Sequence, residues 1–239
     1  MLFDLFKKKP RSPIDAFMKK AKKLSPFAID DYTELVPILE ENMKKAEEKH
    51  FGKKLIVISD THGYLDIEGA FEGFMKNVGD YDLCILLGDI YPYEIDKISE
   101  YISIEKMVAL LGNHDEADLY ERYGIRNING AVFEHDGVTF AGIEGSYRYK
   151  NEDFPSYTHY ESILLSENIE GADVLLSHDM MFTGKYRDRA HCGLCGITNY
   201  VYKHAPTYHI HGHTHKPYED VYKNGTKEIS VYHCKYIEI

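Results

Sequence analysis

An α/β fold is what this 239-residue sequence predicts, on three observations. Apolar runs such as Leu55 to Ile58 and Leu83 to Leu87 have the length of buried strands. Segments with helical spacing of apolar residues separate them. Each early run also ends at once in a polar cluster: Ser59-Asp60-Thr61-His62, Gly88-Asp89 and Gly112-Asn113-His114-Asp115. Strands alternating with helices build a sheet whose carboxyl ends are the usual place for a ligand, so these clusters are expected to converge in space.

In chain order, residues 14–24 read as a helix that follows Pro10 and Pro13. From residue 54 the pattern becomes strand 54–59, helix 67–78, strand 82–87, helix 94–103 and strand 106–111. The second half looks more antiparallel. Runs 131–135 and 138–143 flank Asp136-Gly137, a hairpin turn signal. Helix 159–168, strand 173–177, helix 197–203 and strand 207–211 follow, and Asn224-Gly225 marks a second hairpin. Later strands end in Ser177-His178 and Gly212-His213-Thr214-His215, so five loops supply one expected site.

Composition narrows the class. With 44% hydrophobic and 28% charged residues the chain matches neither a disordered nor a fibrous protein. No apolar run approaches the roughly 20 residues of a membrane helix. The formal net charge of −11 is unevenly spread. Residues 1–54 hold 13 Lys+Arg against 9 Asp+Glu, a balance of +4, and the remainder holds 15 against 30, a balance of −15. Two units are therefore expected, a basic and mainly helical extension over 1–53 and a main domain over 54–239. Leu2, Phe3, Leu5 and Phe6 ahead of three lysines allow a weak membrane or partner contact, while the plainer expectation is a helical extension packed on the main domain. The N-terminal stretch has no apolar core and cleavage site of the secretory kind, which predicts a cytoplasmic protein with reduced thiols. Cys192 and Cys195 then read as small residues at a helix start rather than a redox pair or half a zinc site.

Asp60, His62, Asp89, Asn113, His178, His213 and His215 are oxygen and imidazole donors, too many for one ion. Two divalent ions of the Mn, Fe, Zn or Ni kind suit such a set, with Mn favoured. Ions held roughly 3.5 to 4 Å apart need a shared anion, for which Asp89 is the candidate, and a shared water ionised to hydroxide would be the nucleophile. Asp-x-His and Gly-Asp are weak signals singly. Gly-Asn-His-Asp and Gly-His-Thr-His after strands are stronger, because clustered donors bring desolvation and repulsion costs to a core.

In order and approximate spacing, Asp60-Thr-His62, Gly88-Asp89, Gly112-Asn-His-Asp115, His178 and Gly212-His-Thr-His215 resemble the motif set of the calcineurin-like metallophosphoesterases, over about residues 54–239. The resemblance implies a four-layer α/β/β/α sandwich of two mixed sheets. It implies one metal on Asp60, His62, Asp89 and His215, and another on Asp89, Asn113, His178 and His213. His114 matches the family's non-ligand catalytic histidine, which protonates the leaving group or stabilises the transition state. Asp115 matches the acidic neighbour; orienting the His114 ring and capping a helix over 116–123 are its two open roles.

Tyr64, Tyr91, Tyr147 and Arg148 lie in loops expected to line a substrate pocket. His209 and His211 read as packing or supporting groups, and His50, His135, His159, His191, His204 and His233 as ordinary surface or core residues. An Asp-Arg-Gly element does not follow Gly88-Asp89, which disfavours a protein phosphatase within that family. The acidic balance beyond residue 54 disfavours long nucleic acid. A small or nucleotide-type phosphodiester is the expected substrate. A monoester, a lipid-linked phosphoester and a catalytically silent scaffold stand as alternatives, and the sequence leaves oligomeric state open.

Overall fold

The computed structural model describes residues 12–150 and 155–239. The residues 1–11, with the apolar and basic N-terminal runs, lie outside it. In chain order the helices are α1 (Pro13–Ala21), α2 (Leu35–Glu41), α3 (Ala70–Met75), α4 (Pro92–Ser99), α5 (Leu119–Arg122), α6 (His159–Glu167) and α7 (Cys195–His204). The strands are β1 (Lys54–Ser59), β2 (Leu83–Leu86), β3 (Met107–Ala109), β4 (Arg126–Asn127), β5 (Val132–His135), β6 (Val138–Ile143), β7 (Ser146–Tyr147), β8 (Ser156–Tyr157), β9 (Val174–Ser177), β10 (Tyr208–His211), β11 (Tyr218–Val221), β12 (Lys227–Ser230) and β13 (His233–Glu238).

Two mixed sheets face each other. One runs β13-β1-β2-β3-β4 and the other β11-β12-β10-β9-β6-β5, with β7 and β8 pairing apart. Alternation along each strand assigns its side chains to layers. Leu55, Val57, Leu83 and Ile85 meet Phe140, Val174, Leu176 and Ile210 between the sheets. Their neighbours Ile56, Ile58, Cys84 and Leu86 point the other way, onto Phe71, Ile95, Ile98 and Leu119 of the helices. Ala141, Ile143 and Leu175 pack beneath Ile163, Ile197 and Val201. The result is the expected α/β/β/α sandwich, and each fully buried Leu or Ile contributes about 1.5–3 kcal/mol to it.

Local signals explain several elements. Asp136 and Gly137 have φ of 48° and 82°, as a two-residue type I′ turn requires between β5 and β6. Ser12 with Asp15 and Thr158 with Glu161 form capping boxes that start α1 and α6. Helix α3 is shorter than the apolar spacing predicts, covering 70–75 of 67–78, because Gly69 starts it in a left-handed conformation, whereas α7 is longer than the expected 197–203. Strand β13 was not anticipated at all. It pairs antiparallel with β1 from Lys54↔Glu238 to Ser59↔His233 and closes the first sheet.

Residues 12–43 share a core with the second sheet's helix layer. Phe17, Tyr32, Leu35 and Leu39 are buried against Tyr200 and Tyr202 of α7 and against Phe182. Cys192 and Cys195 are buried, with α7 beginning at Cys195, and burial pushes both thiols well up from their ordinary value. Among the described residues no helix is long and apolar enough to cross a membrane.

Candidate metal centre

Strands β1, β2 and β3 run parallel in one sheet, and β6, β9 and β10 in the other. The loops after β1, β2, β3, β9 and β10 therefore meet at one edge of the sandwich. The approach is tight enough to demand glycine. A Cβ on Gly88 would overlap the backbone of Gly112, and one on Gly212 would overlap Ser59 Oγ and Asp60 Oδ2. Backbone strain concentrates here as well. Of eight described non-glycine residues with positive φ, five are Asp60, His62, Asp89, His213 and His215. Such conformations cost of order 1–3 kcal/mol each and persist where function demands them.

Each of the two carboxylates uses one oxygen for protein contacts and not the other. Asp60 Oδ2 accepts the Ser59 hydroxyl at 2.6 Å and the His213 backbone N–H at 2.7 Å. Asp89 Oδ1 accepts the His114 backbone N–H at 2.8 Å. The remaining oxygens, Asp60 Oδ1 and Asp89 Oδ2, are buried without a hydrogen-bond partner. Burial pushes the Asp60 carboxyl up, but the His215 imidazole 3.3 Å from Oδ1, the neighbouring His178 ring and the Ser59 hydroxyl outweigh it and hold the group well below the usual carboxylate range.

The imidazoles converge on those two oxygens. His215 Nε2 lies 3.3 Å from Asp60 Oδ1 and 3.3 Å from His62 Nε2. Asp89 Oδ2 lies 3.6 Å from His62 Nε2 and 3.7 Å from His178 Nε2. His178 Nδ1 donates to the Leu87 carbonyl at 2.6 Å, which leaves Nε2 of the neutral ring as a bare lone pair, 3.1 Å from Asn113 Oδ1. His213 Nε2 donates to the Ala190 carbonyl at 2.8 Å and leaves Nδ1 bare. Acceptors facing acceptors in a buried pocket fit cations, with backbone carbonyls fixing the tautomers from behind. Two donor sets have all ligand atoms within 4.8 Å of one another: Asp60, His62 and His215, and Asp60, His178 and His213. Asp60 belongs to both sets, and the open oxygen of Asp89 faces one histidine of each.

Asp115 does neither of the things expected of it. Its carboxylate accepts the backbone N–H groups of Gly112 at 2.7 Å, Asp89 at 2.9 Å and Ile90 at 3.2 Å. It thus staples the loop after β3 to the loop after β2, while Asp118 stands at the start of α5. Burial and the nearby Asp89 charge push its carboxyl up to about 7, against the pull of those N–H groups. His114 is exposed, its ring 5.5 Å from that of His62. It borders a groove of about 700 Å³ walled by Glu116, Asn127 and Glu144.

Of the expected pocket residues, Tyr64 is stacked on His233 at 3.8 Å and Tyr91 stands 6.3 Å from the His62 ring. Tyr147 is placed elsewhere. It is fully buried, its N–H bonded to Asp179 and its hydroxyl donating to the Ala28 carbonyl, because β7 turns it into the helix-layer core. Arg148 is occupied by Ser156 and Glu161. His209 and His211 are buried, within hydrogen-bond distance of Ser177 and Tyr222 and of Glu228 respectively.

Three further residues shape the centre. Glu94, fully buried, accepts from Thr61 Oγ1 and from the backbone N–H groups of Gly63, Leu65 and Tyr91, moulding the loop that carries His62. The sequence signals it only as a glutamate two residues after Pro92 at a helix start. Asp179 is buried and accepts the Tyr147 and Met180 N–H groups. His191, expected to be ordinary, has its ring 4.8 Å from His213 and 6.2 Å from His215. The spacing Asp188-x-x-His191 was its only signal.

Residues 54–231 match the family model of the calcineurin-like phosphoesterase superfamily domain. Among solved structures, phosphopantetheinyl hydrolase from Mycobacterium tuberculosis is similar at 13% identity, with 76% of this chain and 90% of that chain covered and a TM-score of 0.48. A dimetal phosphatase from Danio rerio is similar at 10% identity, with 76% and 88% covered and a TM-score of 0.45. No curated protein sequence matches the chain.

Proposed function

The chain belongs to the calcineurin-like phosphoesterase superfamily, an assignment that makes it a metal-dependent phosphoric ester hydrolase, and from that premise we propose a phosphodiesterase acting on a small or nucleotide-type substrate. The observation that carries the reading is the pair of buried carboxylate oxygens without partners, Asp60 Oδ1 and Asp89 Oδ2, ringed by imidazole nitrogens. Asp60, His62, Asp89, Asn113, His178, His213 and His215 would hold two divalent ions of the Mn, Fe, Zn or Ni kind, with Mn(II) favoured. When bound, the ions would lower the pKa of a water nucleophile and offset charge developing on the phosphoryl oxygens.

The chain's own groups do the rest. Asp89 Oδ1 fixes the backbone at His114, which sets the exposed imidazole at the mouth of the groove. From there it protonates a departing alkoxide held in that groove, help that contributes roughly 10² to 10⁴-fold for a leaving group of high pKa. Glu116 and Glu144 outnumber Lys150 in the groove wall and disfavour a further anion on the leaving side. The acidic balance of residues 54–239 disfavours long nucleic acid, and the basic residues 1–53 suit a weak membrane or partner contact.

Metal analysis followed by a phosphoester panel tests the reading. Two ions per chain and hydrolysis of bis(p-nitrophenyl) phosphate with Mn(II) are expected, lost on Asp89→Asn. His114→Ala is expected to fall furthest on alkyl leaving groups and least on p-nitrophenol. Full activity of both variants would overturn the mechanism.

A further inference from the structure

Ring contacts link the imidazoles of the centre in a chain from His114 to His62 (5.5 Å), His215 (5.0 Å), His191 (6.2 Å), His213 (4.8 Å) and His178 (5.0 Å). Two of the six, His114 and His191, are not needed as metal ligands, and they sit apart, separated by His62 and His215. His191 is held firmly: Asp188 Oδ1 accepts its backbone N–H at 3.0 Å and its ring Nδ1–H at 2.9 Å, which leaves Nε2 open. The adjoining carbonyl of Ala190 accepts from His213, so this loop is joined to the metal centre by a hydrogen bond. Its other end is anchored too, with Tyr186 Oη donating to Asp30 at 2.5 Å.

The same loop carries Lys185, Arg187 and Arg189, all exposed. None of the three forms an ion pair among the described residues, and the loop's acid, Asp188, is 2.9 Å from His191. Residues 183–191 therefore hold three cations against one acid, Asp188, which His191 already occupies, within a domain whose balance is −15. Unneutralised cations on an anchored loop beside a phosphate-processing centre are what anion recognition needs.

We propose that residues 183–191 form an anion-recognition arm, in which His191, Lys185, Arg187 and Arg189 hold a second phosphate of the substrate beside His213 and His215. The proposal rests on the phosphoesterase reading and narrows it to substrates with at least one phosphate beyond the ester that is cleaved, such as nucleoside diphosphate derivatives. The groove beside His114 takes the uncharged leaving group, and the basic arm takes the retained anion. Arg in particular suits this, since its planar fork binds phosphate oxygens in pairs.

The test is equilibrium binding to the full chain loaded with Mn(II), read by fluorescence anisotropy. The probes are N-methylanthraniloyl adenosine 5′-diphosphate and the corresponding monophosphate. The wild type is expected to prefer the diphosphate by about tenfold or more, the scale of one or two charge-assisted contacts. The triple variant Lys185→Ala/Arg187→Ala/Arg189→Ala is expected to lose that preference while its affinity for the monophosphate changes less than threefold. Equal affinities in the wild type, or a preference that survives the triple variant, overturns the proposal. Should the variant fail to fold, the wild type alone decides: raising salt from about 50 to about 300 mM must shrink the preference, and an unchanged preference counts against the arm. Hydrolysis of bis(p-nitrophenyl) phosphate, which has no second phosphate, keeps the two readings separate. Turnover of that ester without a diphosphate preference rejects the arm and leaves the phosphoesterase reading intact.

Discussion

Asp89 and His114 are joined through a single contact: Asp89 Oδ1 accepts the His114 backbone N–H at 2.8 Å, while Asp89 Oδ2 is buried and open. One carboxylate thus places the exposed imidazole with one oxygen and offers charge to the centre with the other. Metal occupancy and the position of His114 are separable for that reason.

Asp89→Asn retains an oxygen for the His114 N–H but removes the charge. It is expected to fold with a melting temperature close to the wild type when both are metal-free, and to bind fewer than two ions per chain by elemental analysis. Two tightly held ions in this variant would contradict the role given to Oδ2.

Asp115→Ala leaves three buried N–H groups, those of Gly112, Asp89 and Ile90, without their acceptor. Each orphaned donor costs about 1–3 kcal/mol, so a loss of about 3 kcal/mol or more is expected. Urea denaturation checks it: the midpoint falls with the slope unchanged. A loss below about 1 kcal/mol would mean that the loops are held by other contacts.

Gly212→Ala places a methyl group into Ser59 Oγ and Asp60 Oδ2 and is expected to lower stability by about 1–3 kcal/mol and to weaken metal binding with it. Gly79→Ala, whose added methyl meets only the Tyr236 hydroxyl at 3.7 Å, serves as the neutral comparison. Equal melting temperatures for the two variants would refute the close approach of the sheets.

Far from the centre, Asp173 accepts from Thr139 Oγ1 at 2.7 Å, from Thr139 N–H at 3.1 Å and from Lys49 at 3.2 Å. Burial raises its carboxyl, but the Thr139 bonds and Lys49 outweigh that and hold it below its ordinary value. A depressed carboxyl contributes stability that is present above its unfolded pKa of about 3.9 and is lost as pH falls through the folded value. Asp173→Asn is therefore expected to be less stable at pH 7, with the deficit shrinking below about pH 4. Melting curves at both ends of that range measure it, and a constant deficit would remove the electrostatic explanation.

Much of the site was legible because polar clusters directly after apolar runs map onto strand ends, which topology then gathers. The five loops meet as that rule implies, and Asp136-Gly137 folds as its turn chemistry dictates. Other features carry no local signature. β13 has neither a clean alternation nor a turn that names its partner, so its place beside β1 is set by tertiary pairing. Asp115 and Glu94 act on backbone N–H groups of segments remote in sequence, a role that residue type does not encode. Tyr147 shows the converse, a tyrosine in an apparent loop that β7 buries.

The closing of the first sheet also bears on how the protein is made. β1 is synthesised early, yet its partner on one side, β13, is made after every other strand of that sheet. Until then β1 presents an unpaired and highly apolar edge, the kind of surface that recruits strands from neighbouring chains. The loop bearing Asp60 and His62 hangs from that same strand. Pairing with β13 therefore covers this edge and fixes the strand from which that half of the centre hangs.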